Sequence, residues 1–346
     1  MALLRKAARP DGPKPISLAL QGGGAHGAFE WGVIDRLLET GAIEIKAISA
    51  ASAGAMNAVA ITTGLIEGGP DGARTRMEKF WKAVSQSGGG AFLGANVMGS
   101  FGANWMESNP AYRYLESLSA TVSPYDFNPL NYNPLQDILR KQIDFKAIRE
   151  NSPVDLYISA TAVRTCEAKV FRASELTAEH VMASACLPAV FQAVQIDGEA
   201  YWDGGYLANP PIWPLAECKA RDVLLVLLNP FVSTTTPKTA SDIADRIDEI
   251  AFNAPLVAEL RVIGHVHSLI KKGVLRTGPG YQLLRFHSID ADGRLSDLRL
   301  SSKFNVDWAF LNDLKKRGRL AADEWMKTDL SAVGEHSTLD LGKALL

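Results

Sequence analysis

A glycine-rich loop between a short apolar run and an amphipathic stretch constrains this chain more than any other feature of its sequence. Residues 16–20 read ISLAL, which predicts a strand buried on both faces, and the loop QGGGAHG follows. Apolar residues at helical spacing continue from Phe29 to Leu38, and Gly41 is placed to end that helix. A second apolar run at residues 43–48 leads into another turn and helix. Two strands joined through a helix in so short a stretch predict a right-handed crossover, so the fold class is α/β with a parallel sheet.

The rest of the chain extends this pattern. Further strands are predicted at residues 156–163, 169–173 and 223–229, and a long amphipathic pattern after Pro237 predicts a helix. We therefore expect a mostly parallel central sheet flanked by helices in three layers. The 346 residues carry 36 basic and 38 acidic side chains, a formal net charge of −2, and 47 % of them are hydrophobic. This composition excludes a disordered chain, and it offers no basic surplus for binding nucleic acid.

The turn after the second predicted strand contains one serine among small residues, in the run Ala50-Ala51-Ser52-Ala53-Gly54. A dinucleotide site would require an acidic residue near this position. Small residues around a serine, on a turn from strand to helix, are instead typical of a nucleophile elbow. The alternative interpretation is that Ser52 only caps the following helix.

The glycine loop is compatible with two kinds of ligand. Successive glycines at the start of a helix leave backbone N–H groups free to bind a phosphate or an oxyanion. The spacing of Gly22, Gly24 and Gly27 fits G-x-G-x-x-G, which is a weak signal alone. Because the serine turn follows one strand later, we interpret the amides of Gly23, Gly24 and Ala53 as donors of an oxyanion hole.

Asp203 is the candidate base. It follows the predicted strand EAYW at an Asp-Gly turn, although this pair is also common in turns that have no catalytic role. None of the six histidines carries the local signature of a triad member. A triad in the order Ser52, Asp203, and then His265, His267 or His287 stays open.

Four ordered blocks, QGGGAHGAF, ISAASAGAMNA, ASACLPAVF and YWDGGYLANPP, resemble those of the patatin-like phospholipases over about residues 16–230. The resemblance implies a Ser–Asp dyad, Ser52 and Asp203, on an α/β sheet without a catalytic histidine, metal or organic cofactor. It implies that the oxyanion-hole glycines are Gly22, Gly23 and Gly24. Supporting positions in the same motifs are His26, Gly27, Gly54, Gly204 and Gly205.

The resemblance also divides the chain. We expect residues 1–14 to form a disordered tail and residues 15–230 to form the patatin-like catalytic domain. Residues 231–346 are expected to form an extension of helices and a strand packed on that domain, since RIDEIAFNAPLVAELRVI resembles the C-terminal extension of bacterial members.

Two motifs depart from the family pattern, the serine turn at one position and the glycine loop at two. Ala50 stands where the elbow usually has its first glycine, and this raises the question of a catalytically weak protein. Gln21 and His26 replace an acidic residue before the loop and a basic residue within it. His26 is expected to donate a hydrogen bond or to carry a charge near pH 6.5.

The leading hypothesis is a serine acyl hydrolase that cleaves carboxylic esters of lipids, phospholipids or lysophospholipids. Because an aspartate of ordinary pKa near 3.9 is a weak base at neutral pH, the mechanism is expected to depend on the oxyanion hole. The alternatives are a Ser-His-Asp esterase acting on other lipids or polyesters, and a phosphate- or nucleotide-binding module that uses the glycine loop.

Large apolar residues lie among glycines at residues 91–106, between the catalytic blocks. Such a segment predicts a loop that covers the cleft and makes transient, peripheral contact with a membrane. The three cysteines are widely spaced, and neither a signal peptide nor a run of 18 apolar residues is present. We therefore expect a cytoplasmic protein with peripheral contact at the inner membrane; the sequence does not indicate its oligomeric state.

Overall fold

The computed structural model describes residues 12–87, 122–229, 231–232, 236–276, 283–291, 293–298 and 300–341. The apolar segment at residues 91–106 and residues 1–11 of the expected tail lie outside this part of the chain. Lys14, the last residue assigned to that tail, already belongs to the first strand.

The strands of the described residues are β1 Lys14–Leu20, β2 Ile43–Ala50, β3 Asp155–Ala162, β4 Glu167–Arg172, β5 Val194–Ile196, β6 Glu199–Asp203, β7 Asp222–Leu227 and β8 Arg285–Asp290. The helices are α1 Gly27–Thr40, α2 Ala53–Gln86, α3 Pro124–Phe127, α4 Pro134–Gln142, α5 Phe145–Asn151, α6 Ala178–Ser184, α7 Ala240–Lys271 and α8 Trp308–Thr328. Short 3₁₀ turns lie between them, and one of these, Leu300–Phe304, adjoins the glycine loop.

All eight strands form one sheet in the order β5-β6-β3-β2-β1-β7-β8, with β4 pairing with β3. Five neighbouring strands of this sheet are parallel to one another: β3, β2, β1, β7 and β8. The three remaining strands add antiparallel pairs at one edge. This confirms the α/β class and the mostly parallel sheet.

The central strands are buried on both faces, as a sheet covered by two helical layers requires. In β1, Ile16, Leu18 and Leu20 face the larger core, which α1, α2 and α8 cover. Ala19 faces the second core, to which α7 contributes Leu256 and Leu260. The alternation follows from the two-residue period of a strand and confirms the three layers.

The region after residue 230 is part of the same sheet and core. β8 pairs with β7 in parallel register, and α8 packs along α1. The two helices approach at Gly32 and Gly318, where a side chain on either residue would collide with a backbone carbonyl of the other helix, Lys315 O or Phe29 O. The glycines therefore set the distance between α1 and α8.

Most predicted elements are present. Asn133 caps α4, accepting a hydrogen bond from the Leu135 amide at 3.1 Å, with Pro134 at the first helical position. Helix α2 runs on to Gln86 but contains two non-helical residues, Gly68 and Gly69. No described helix is long and apolar enough to cross a membrane.

Candidate active site

Ser52 lies at the turn between β2 and α2 in a strained backbone conformation. Its φ of 52° and ψ of −120° fall outside the regions that a residue with a side chain prefers. Its amide donates a hydrogen bond to Ser184 Oγ at 2.9 Å, and its carbonyl accepts one from the Met56 amide. Strain held by such contacts is frequent at functional sites and is a feature of a nucleophile elbow.

The residues around the serine are small because the turn packs closely on the neighbouring strand. A side chain at Gly54 would collide with the Leu20 carbonyl, and one at Gly27 would lie 2.9 Å from Ala53 Cβ. Ala50, which replaces the usual first glycine, is fully buried as the last residue of β2 and keeps its pairing with Leu20 of β1.

Asp203 ends β6 and is fully buried. Its Oδ1 accepts a hydrogen bond from the Gly205 amide at 2.7 Å, and its backbone carbonyl accepts one from Thr161 Oγ1 at 2.8 Å. Side chains at Gly204 or Gly205 would collide with Ser159 and with the Phe252 ring. The second carboxylate oxygen, Oδ2, is buried without a complete hydrogen bond to any described residue.

Burial raises the pKa of Asp203 to about 7, while the nearby Ser52 hydroxyl and the Gly205 amide act in the opposite direction. The hydroxyl is thus close to the carboxylate, although it does not complete a hydrogen bond to Oδ2. The ordinary pKa near 3.9 that the sequence suggested does not apply here. A carboxylate that titrates near neutrality suits proton transfer at physiological pH.

The glycine loop needs one correction. The Gly22 amide donates a hydrogen bond to Asn209 Oδ1 at 2.6 Å, so this N–H is not free to serve in an oxyanion hole. The amides of Gly23, Gly24 and Ala53 make no hydrogen bond within the described part of the chain. Gly24 has a φ of 57°, which favours glycine.

Gln21 performs a role that an acidic residue cannot. Its side-chain oxygen accepts hydrogen bonds from the amides of Leu228 and Asn229, at 2.8 and 2.9 Å. Its side-chain nitrogen donates to Asn253 Oδ1 at 2.8 Å. A carboxylate would lack that donor, so the neutral amide fits this position between β1, β7 and α7.

His26 lies within hydrogen-bonding distance of Ser302 Oγ, at 2.7 Å from its Nε2. Burial, followed by the positive charge of Lys303, lowers its pKa to about 3. The imidazole is therefore neutral near pH 7, so of the two roles expected for His26 the hydrogen bond fits the structure and the charge does not.

An apolar cavity of about 310 Å³ opens onto Ser52 and the glycine loop. Ser52, Ala53, Gly23 and Gly24 line it on one side, while Asp248 and Lys303 are the charged residues among its described lining. The apolar lining includes Met56, Phe80, Trp81, Val84, Leu135, Leu187, Val190, Phe191, Tyr206, Phe252, Phe304 and Val306.

All six histidines lie within the described part of the chain, and none is among the residues that line this cavity. His287 is buried in β8, within reach of Asp222 Oδ1 at 3.1 Å and Thr338 Oγ1 at 3.1 Å. His267 on α7 lies beside Phe286, in the second core. Among the described residues, no histidine is hydrogen-bonded to Ser52, and none lines the cavity beside it.

Four polar residues that position the site were not found from the sequence. Asn209 holds Gly22, Ser184 holds the Ser52 amide, and Asn229 donates to the Gly22 carbonyl at 3.1 Å. Lys303, which comes late in the sequence, also lines the cavity. Ser184 and Asn209 fall within the family-like blocks ASACLPAVF and YWDGGYLANPP, which was the available signal; Asn229 and Lys303 had none.

A strained serine at the end of a parallel strand, next to a buried carboxylate and free backbone amides, is the arrangement of an α/β serine hydrolase. The profile of the family described as patatin-like phospholipase matches residues 18–216, more than half of the sequence, and the chain belongs to this family. Membership supports hydrolysis of lipids as its class of activity.

The solved structures similar to this chain include VipD and the ExoU-SpcU complex. VipD from Legionella pneumophila has 16% sequence identity and a TM-score of 0.40, with 92% of this chain and 67% of that chain covered. The heterodimeric ExoU-SpcU complex from the type III secretion system of Pseudomonas aeruginosa has 15% identity and a TM-score of 0.39, with 93% and 53% covered. The chain thus spans about half the length of the second structure. No curated protein sequence matches this chain.

Proposed function

We propose that the protein is a serine acyl hydrolase that cleaves the carboxylic esters of phospholipids or lysophospholipids through a Ser52–Asp203 dyad. The observation that carries this proposal is a strained serine that lines an apolar cavity and lies next to a buried aspartate. The aspartate has an oxygen without a complete hydrogen bond, and a nucleophile's proton can go there.

In the first step, Ser52 Oγ attacks the ester carbonyl carbon while its proton passes to Asp203. The carbonyl oxygen becomes an oxyanion, for which the amides of Gly23, Gly24 and Ala53 are the proposed donors. The intermediate collapses as Asp203 returns the proton to the leaving alcohol oxygen, and an acyl-enzyme remains. Water then attacks this ester, giving one proton to Asp203. The second intermediate collapses as Asp203 passes that proton to Ser52 Oγ, which releases the fatty acid and restores the serine.

The shape of the site favours an acyl chain over a phosphate. The described lining is mostly aliphatic and aromatic, as binding of a hydrocarbon chain requires. The Gly22 amide, which a phosphate-binding loop would use, is already bonded to Asn209. The alternative of a nucleotide-binding module therefore has little support. Among the described residues no histidine is hydrogen-bonded to Ser52 or Asp203, which weighs against a Ser-His-Asp esterase.

We also propose transient contact with a membrane surface. Beside the cavity residues Pro134 and Leu135, the chain exposes Tyr125, Phe127, Leu130 and Tyr132. Exposed aromatic and aliphatic side chains of this kind insert at the boundary between headgroups and acyl chains.

The deciding experiment is labelling with a fluorophosphonate together with hydrolysis of p-nitrophenyl esters and a panel of phospholipids, lysophospholipids and glycerides. Ser52→Ala should abolish both, and Asp203→Asn should lower turnover by roughly 10³-fold or more. Ser87→Ala is the matched control, since Ser87 lines the same cavity but donates its hydroxyl to the Val84 carbonyl. Labelling of the Ser52→Ala protein would contradict the proposal.

A further inference from the structure

Lys303 lies in the 3₁₀ turn Leu300–Phe304, about 280 residues after the glycine loop, and is packed directly against it. A side-chain carbon added at Gly24 would lie 2.5 Å from the Lys303 carbonyl oxygen and 3.2 Å from its Cβ. The lysine also lines the cavity that contains Ser52. A cation from the C-terminal region is therefore held against the loop that the proposed reaction uses.

A chain of hydrogen bonds joins this ammonium group to the loop. Lys303 Nζ donates to Asn229 Oδ1 at 2.6 Å, and Asn229 Nδ2 donates to the Gly22 carbonyl at 3.1 Å. Asn229 is itself 3 % exposed and is fixed through its amide by Gln21. The positive charge thus acts on the peptide group whose carbonyl belongs to Gly22 and whose N–H belongs to Gly23.

We propose that Lys303 is a positioning residue that polarises the Gly22–Gly23 peptide through Asn229 and thereby strengthens the Gly23 N–H as an oxyanion donor. This inference rests on the proposed function and adds a residue to it. Hydrogen bonds in series polarise one another, and a charged donor strengthens the series further. The loop's own titratable side chain, His26, is neutral near pH 7, so Lys303 is the cation at this position.

The surroundings of Lys303 give this arrangement a pH signature. Burial lowers the pKa of its ammonium group to about 8, while Glu249, Asp248 and Asp245 of α7 act in the opposite direction. On the side of the glycine loop, Lys303 has His26 as a titratable neighbour. The positive charge of Arg317 in α8 also lowers the pKa of His26. Loss of the Lys303 proton would remove the polarising charge, so activity should decline as the pH rises through about 8.

The test measures p-nitrophenyl butyrate hydrolysis, because this neutral ester offers no headgroup for a cation to bind. Lys303→Met should lower kcat by roughly tenfold to a hundredfold, less than loss of a whole donor, with KM changed by less than about twofold. Lys303→Arg should restore much of kcat and move the decline at alkaline pH upward, since arginine stays protonated. Lys14→Met removes another partly buried lysine, at the opposite end of β1, and should leave kcat unchanged.

Asn229→Ala separates action through the amide from direct action on the substrate. If the charge acts through Asn229, the double variant with Lys303→Met should be no slower than the slower single variant. Additive losses, or a change in KM alone, would overturn the inference. So would unchanged kcat in Lys303→Met.

Fluorophosphonate labelling separates this outcome from failure of the proposed function. Labelling that depends on Ser52 and persists in Lys303→Met shows that the serine site is intact, whatever happens to kcat. Labelling that survives Ser52→Ala would instead contradict the proposed function. Should Lys303→Met fail to fold, the pH profile of Lys303→Arg decides: an alkaline decline that stays at about pH 8 contradicts the inference.

Discussion

The carboxyl group of Asp203 lies in surroundings that favour its neutral form, because burial outweighs its hydrogen bonds and raises its pKa to about 7. As the proposed base, it must be ionised to accept the serine proton. We therefore expect kcat/KM to rise with pH through about 7 and to reach a plateau above it, before the Lys303 proton is lost. The measurement is kcat/KM for a neutral ester between pH 5 and pH 9; a profile that is flat through pH 7 would contradict this assignment.

The same residue should make the protein less stable as the pH rises. Because the folded pKa is raised above the unfolded value, the folded state binds more protons between about pH 4 and pH 7, and the free energy of unfolding falls across that range. Asp203→Asn removes this effect and should be more stable than the parent at pH 8, by about 1–3 kcal/mol. Urea unfolding at pH 5 and pH 8 measures it. A gap between the two proteins that does not widen with pH would be the contrary result.

Ser52 and Asp203 could be proposed from the sequence because their signals are local. Ser52 stands among small residues at a turn, and Asp203 stands in an Asp-Gly-Gly block that resembles that of the family. Residues whose contacts join positions far apart in the sequence could not be identified in this way. Asn229 follows a strand with no motif around it, and Lys303 lies in an irregular segment, so their meeting at Gly22 depends on the tertiary fold. The pKa of Asp203 was misjudged for the same reason, since burial cannot be read from a turn.

At the scale of single elements, the contact between α1 and α8 depends on two glycines. Gly318→Ala should destabilise the protein by about 1–3 kcal/mol, because the added methyl group meets the Phe29 carbonyl and the helices must separate. In a helix without this contact, alanine would instead stabilise by roughly 0.5–1 kcal/mol.

Gly68→Ala is the control for this prediction. Gly68 is exposed at the kink of α2 and has open space where a methyl group would stand. Its urea midpoint should stay close to that of the parent. Equal midpoints for Gly318→Ala and the parent would show that the helix contact tolerates a larger separation.

The exposed apolar residues next to the cavity lead to a prediction about lipid surfaces. Leu130 and Tyr132 are 91% and 58% exposed, and their replacement together by aspartate should weaken liposome binding severalfold and slow vesicle hydrolysis. Hydrolysis of a soluble short-chain ester should be spared. Leu320→Asp provides the control, since Leu320 is 61% exposed on α8. Equal loss on vesicles and on the soluble ester would contradict membrane contact.

Periodicity was sufficient for the long elements and failed for the short ones. Strands β1, β2, β3 and β7 and helices α1 and α7 are long enough for their apolar period to show, which is why they could be predicted. Helix α3 has only four residues, too few for a 3.6-residue period to show. The expected loop at residues 91–106 lies outside the described residues and stays a prediction.

For the molecule as a whole, the division at residue 230 can be tested directly. β8 completes the sheet beside β7, and Asp222 is bonded by Arg285 and lies 3.1 Å from His287 Nε2. A fragment of residues 12–230 would expose the β7 edge and leave Asp222 without these partners. We expect it to aggregate or to lack a cooperative thermal transition, measured by circular dichroism. A monomeric, cooperatively folded fragment would show that residues 15–230 form an independent domain.

The pairing of β1 with β7 has a consequence for how the protein is made. Ser17 lies opposite Val223, so about 200 residues must be synthesised after β1 before its second neighbour, β7, is available for pairing. At ribosomal speeds this is a delay of roughly 10–40 s, and Lys303 emerges later still. For most of translation the nascent chain therefore contains the serine turn but lacks β7 and Lys303. On the proposed function, the reaction centre is therefore complete only after the ribosome has passed Val223 and Lys303.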